Sequence, residues 1–129
     1  MIGRDPVRAA YLTRVSALCV HYARQLEHVP APSDPAALGD VIASLRQALP
    51  LLRAQRAAMQ AVPQPAALRR RLRTLFELEG GAIAELEAAL AAAERRDSAG
   101  VAAGIDRFTA ARDRSHALAS AIGIRCNTP

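Results

Sequence analysis

The 129-residue chain contains no lysine and no tryptophan, two cysteines, and only two tyrosines and two phenylalanines. Strands need aromatic and β-branched residues in quantity, so this poverty excludes a β-sandwich. Two cysteines are too few for a disulfide-dense miniature scaffold. No stretch of roughly eighteen apolar residues runs free of charge, so no segment is expected to span a membrane. Arg4, Asp5, Arg8, Arg14 and Arg24 break up the first thirty residues and leave no room for the apolar core of a signal peptide. As written, the chain is expected to be soluble and cytoplasmic; an extracytoplasmic or cell-envelope location is expected if it is a mature or truncated form.

What is present is alanine, which supplies 30 residues of a composition that is 51% apolar. The length suits one hydrophobic core, and small side chains point to closely packed helices. All 17 basic residues are arginine against 12 acids, a formal charge of +5. Abundant alanine with no lysine matches the codon bias of a GC-rich genome, so arginine by itself is weak evidence for phosphate recognition. The positive balance favours solubility and loose attraction to acidic surfaces.

Turn chemistry recurs at even spacing, at Val29-Pro30-Ala31-Pro32-Ser33-Asp34-Pro35, Val62-Pro63-Gln64-Pro65 and Arg96-Asp97-Ser98-Ala99-Gly100. Each intervening segment has a start signal: Asp5 before Pro6, Ser33 or Asp34 before Pro35, Gln64 before Pro65, and Asp97 or Ser98 before an alanine run. Gly123 stands where a helix-ending glycine belongs. The pattern predicts helices over 6–28, 35–61, 65–95 and 98–122, with a tail at 123–129. Short turns between long helices imply an all-α, antiparallel up-down-up-down four-helix bundle occupying 1–129 as one domain.

Apolar steps of three and four place Leu68, Leu72, Leu75, Ala82, Leu86, Ala89 and Ala93 on one seam, with Glu79 at one of its positions. Leu38, Ile42, Leu45, Leu49, Leu52 and Met59 do the same in the second helix, where Arg56 takes a step. The fourth offers Val101, Ile105, Phe108, Ser115, Leu118 and Ile122, and the first Val7, Tyr11, Val15, Leu18, Tyr22 and Leu26. Pro50 is expected to kink or briefly break the second helix. Gly80-Gly81 is expected to allow close approach of a neighbouring backbone or to mark a bend. A carboxylate on a leucine seam is costly without a partner, so Glu79 is expected to join a polar layer with Arg14, Arg112 or His116, or else to rotate outward.

Cys19 and Cys126 invite a disulfide, with two unpaired thiols as the alternative. A gap of about 20 Å separates Cys19 from the expected end of the fourth helix. Four extended residues narrow it by about 13 Å, so the bridge requires the tail to reverse.

Arg69, Arg70, Arg71 and Arg73 form the densest basic run, and Arg53 and Arg56 are expected to join it across the second turn as an anion-binding end. The scarcity of aromatic residues argues against single-strand binding, and no recognition-helix turn is present, so nucleic acid is not the expected partner. His21, His28 and His116 make no ligand set: Cys19 and His21 point apart on a helix, and Asp113-x-x-His116 occurs once where di-iron bundles need two such pairs. Neither a turn-mounted nucleophile nor a phosphate-binding glycine loop occurs. No cofactor and no enzymatic activity are expected.

Ala17-Leu18-Cys19, Pro30-Ala31-Pro32-Ser33-Asp34, Leu49-Pro50-Leu51-Leu52, Val62-Pro63-Gln64-Pro65, Ala93-Glu94-Arg95-Arg96-Asp97 and Ala121-Ile122-Gly123-Ile124-Arg125-Cys126 together resemble a loose group of small alanine-rich actinobacterial proteins of unknown function. Members often carry an export or lipoprotein signal, a cysteine in the first helix and a terminal Gly-hydrophobic-x-Cys. The resemblance implies a cell-envelope location and supports the disulfide. The sequence therefore points to a structural or protein-interaction module that binds a partner or itself. The alternatives are a binder of nucleic acid or another polyanion through its arginine end, where acidic surfaces and anionic headgroups are further targets, and a carrier of a metal or small ligand in the bundle core.

Overall fold

The computed structural model describes residues 5–32, 34 and 36–126. Among these, the chain forms four α-helices: α1 Pro6–Glu27, α2 Leu38–Gln60, α3 Arg69–Glu94 and α4 Ser98–Ile122. A single 3-10 turn, Ala66–Leu68, leads into α3, and no strand occurs among the described residues. Arg4, Ser33, Pro35 and the tail residues 127–129 lie outside them.

Asp5 starts α1 by accepting the Val7 and Arg8 amides at 3.0 and 3.4 Å, with Pro6 in the position where its missing N–H costs nothing. Asp97 caps α4 through the Gly100 amide at 2.9 Å. The second helix begins later than expected. Asp34 spends its carboxylate on the Ala36 amide and its carbonyl on that of Ala37, which closes a separate turn, and α2 starts at Leu38 without a side-chain cap. Likewise, no side chain caps the 3-10 turn that follows Pro65. Pro50 lies inside α2, which continues through it without a break, although the proline supplies no N–H for the Arg46 carbonyl.

Cross-helix contacts fix the register. Arg46 meets Glu94 at 2.8 Å and Arg53 meets Glu87 at 2.5 Å, so numbers rise along α2 as they fall along α3. Between α3 and α4 the matched positions are Ala92 with Gly100 and Ala89 with Gly104. A Cβ on Gly104 would stand 2.9 Å from that of Ala89 and 3.1 Å from its Cα. The close helix approach expected at Gly80-Gly81 thus occurs at Gly100 and Gly104. Gly81 has nothing within 4 Å of a built Cβ, and Gly80 makes room for the Arg56 guanidinium.

Two buried clusters make the core. One joins Tyr11, Val15 and Cys19 of α1 to Met59, Val62, Leu68, Leu72, Leu75, Phe76, Ala119, Ile122 and Ile124. The other joins Val41, Leu45 and Leu49 to Ile83, Leu86, Ala89, Ala92, Ala93 and Val101 and contains no residue of α1. The seam expected on α3 is buried throughout, with Glu79 half-buried among it. On α1 the buried row is Tyr11, Val15 and Cys19, steps of four that pass over Leu18, and Val7 is 64% exposed. Beyond Cys19, α1 buries no further residue, which leaves its last third at the edge of the bundle.

Candidate functional site

The tail is the first feature that chemistry places. Gly123 turns the chain with a φ of 107°, a conformation only glycine adopts freely, and the following residues run back along α1. Gly123 lies against Leu12, the Arg125 amide donates to Ser16 Oγ at 2.9 Å, and Cys126 joins Cys19. Leu12 to Cys19 spans about 10 Å of helix, and three extended residues span the same distance. Ile124, 3% exposed, is the apolar peg of this return. The disulfide is therefore present, with a Cα separation of 5.0 Å across 107 residues of sequence.

The polar core is the second. Glu79 is half-buried with Oε1 shielded and unpartnered, and burial pushes its carboxyl up to about 7 although the Arg56 guanidinium pulls the other way. The Tyr11 hydroxyl is likewise buried without a partner, and its phenol is raised by burial and then by the Glu79 charge. Arg56 turns inward from α2 and donates from Nε to the Phe76 carbonyl at 2.9 Å.

This layer differs from the expected one. Arg14, Arg112 and His116 are exposed. Ser115 holds the inward position on α4 and donates to the Arg112 carbonyl at 2.9 Å, which turns residues 112 and 116 away. Arg112 lies instead over the Phe108 ring, 5.6 Å from its centroid. On α1 the position that faces Glu79 belongs to Tyr11, one turn before Arg14. Tyr11 stood on the α1 seam, and its hydroxyl was the signal that this level of the core is polar.

The arginine run is the third. Arg69, Arg70, Arg71 and Arg73 are exposed in the first turns of α3, where no acid accompanies them and no side chain caps the helix. A helix start carries partial positive charge, so four cations there oppose the macrodipole. The acids of α3 lie further along, and three of them pair across helices: Glu85 with Arg107, Glu87 with Arg53 and Glu94 with Arg46. Among the described residues, none of the four arginines has an ion-pair partner. Arg53 and Arg56 do not extend this run. Arg53 is engaged at the level of Glu87, about 21 Å along the helix from Arg73, and Arg56 is committed to the core.

Two open grooves mark the surface. One, about 440 Å³, lies between α1 and the end of α2 and is lined by Arg14, Leu18, Ala58 and Val62 among others. The other, about 580 Å³, follows the outer face of α1 beside the returning tail. Neither has Glu79 or Tyr11 in its lining. Among the described residues no three His, Cys, Asp or Glu side chains gather as metal ligands, and no helix is long and apolar enough to cross a membrane. No known family model, curated protein or solved structure matches the chain.

Proposed function

We propose that the chain is a non-enzymatic helical-bundle interaction module that presents the arginine-rich start of α3 to an acidic surface on a protein partner. The observation that carries this reading is the charge order of α3. Its acids lie against the dipole as well, but arginines of α2 and α4 offset them, whereas Arg69, Arg70, Arg71 and Arg73 have no such counter-charge among the described residues. An external acidic surface would relieve both the mutual repulsion and the dipole mismatch, the latter about 0.3–1 kcal/mol for each charge in the first turn. The disulfide and the resemblance to exported actinobacterial proteins support an oxidising, cell-envelope setting for that partnership.

Retention of the oxidised chain on immobilised polyglutamate, duplex DNA and anionic vesicles, each across a salt gradient, tests the reading. The expected result is strongest retention on polyglutamate, lost when the four arginines become glutamine and kept in an Arg95→Gln/Arg96→Gln control. Stronger retention on DNA or vesicles would transfer the site to a polyanion or a lipid surface. Equal retention of the fourfold variant would overturn it. Sedimentation of the unbound chain separates self-association from all three.

A further inference from the structure

The groove on the outer face of α1 is distinct from the basic end just described. Its polar lining is Ser16, His21, Arg24, Gln25 and His28 of α1 together with Arg125 of the tail. We propose that it binds a small oxyanion, a carboxylate or a phosphate, held between the Arg24 and Arg125 guanidiniums.

Placement of Arg125 is the first argument. It follows buried Ile124, precedes the disulfide at Cys126, and hydrogen-bonds through its own amide to Ser16 Oγ at 2.9 Å. A loose tail would let this cation move away from Arg24; three successive ties keep both on one groove. Neither arginine has an ion-pair partner among the described residues, and the lining contains no carboxylate. Fixed like charges without a counter-charge repel until an anion enters, which makes the arrangement receptive to one.

Donor chemistry is the second. Guanidinium groups present planar forks that match carboxylate and phosphate oxygens. Ala17, His21, Arg24 and His28 follow at helical steps of four, three and four, so the polar groups line a continuous strip. His28 Nδ1 meets the Arg24 carbonyl at 2.8 Å, so it carries the proton, and His21 Nε2 takes the Gln25 amide at 3.1 Å, which leaves Nδ1–H of His21 as a further donor. A groove of about 580 Å³ accommodates a small organic anion.

Titration of inorganic phosphate and, separately, succinate into the oxidised chain tests this, read by the imidazole resonances of His21 and His28 at constant ionic strength. Saturable shifts are expected with one of the two probes, and the probe that saturates at lower concentration assigns the anion class. Arg24→Gln and Arg125→Gln, both of which keep the disulfide, should each weaken binding about tenfold, while Arg69→Gln should leave it unchanged. Non-saturating shifts with both probes, or equal losses in all three variants, would overturn the site.

Discussion

Arg96 ends α3 in the same way that Gly123 ends α4. Each has positive φ, 61° and 107°, and each donates its amide to the carbonyl three residues back, Ala93 and Ser120. The next amides, of Asp97 and Ile124, reach the carbonyls of Ala92 and Ala119 at 2.9 Å. Both are Schellman endings, one built on glycine and one on a residue with a Cβ.

Left-handed backbone costs a side-chain-bearing residue about 1 kcal/mol. Arg96→Gly is therefore expected to raise stability by up to that amount, read as a higher urea midpoint. Gly123→Ala should lower it by at least as much, because the new Cβ would also meet Leu12 Cδ1 at 3.2 Å. A stabilised Gly123→Ala would refute the strain argument.

Glu79 makes stability depend on pH with a definite sign. Its carboxyl is raised from 4.5 to about 7, so the folded chain favours the acid form. The associated stability is complete below pH 4.5 and is lost as pH rises through 7. Glu79→Gln should flatten this slope and be the more stable protein at pH 8, by as much as about 3 kcal/mol. Urea midpoints of both proteins from pH 4 to 8 check it, and parallel curves would count against it. Tyr11→Phe removes a buried hydroxyl that has no partner and should cost little or nothing.

Glycines of α3 and α4 should answer alanine substitution in opposite directions. Gly81→Ala adds a methyl to open space and should stabilise by about 1 kcal/mol through helix propensity. Gly104→Ala forces a methyl against Ala89 and should destabilise by about 1–3 kcal/mol less that propensity gain. Thermal melts of the two variants, moving apart from wild type, are the expected outcome.

Cys126→Ser releases a long loop in the unfolded chain and should lower stability by about 5 kcal/mol on the loop-entropy account. Urea unfolding of the oxidised, reduced and Cys126→Ser proteins compares them directly. Coincident midpoints would show that the tail returns without help from the bond.

Which face of each helix turns inward was largely readable from residue spacing, most fully on α3, whose leucines and alanines repeat with only Glu79 breaking the row. Arg56 and Glu79 were visible as charged members of apolar rows. Their partners were not, because periodicity sets the rotation of a helix and leaves its height against neighbours to loop geometry. One turn of difference on α1 put Tyr11 opposite Glu79 in place of Arg14, and the inward rotation of Ser115 displaced His116. Arg53 was misplaced for the same reason, since nothing local to α2 says that Glu87 stands beside it. The groove beside α1 was invisible at that level, because it exists only once the tail doubles back and brings Arg125 against Ser16, 109 residues earlier in the chain.

Joining Cys19 to Cys126 also changes the topology of the polymer: the covalent path from one to the other and back through sulfur is a ring that takes in α2, α3 and α4. A protease that cuts any of the three interhelical turns opens the ring without freeing a fragment. The nicked molecule gains only the mass of one water, keeps its two pieces joined through sulfur, and divides in two only when a reductant is added.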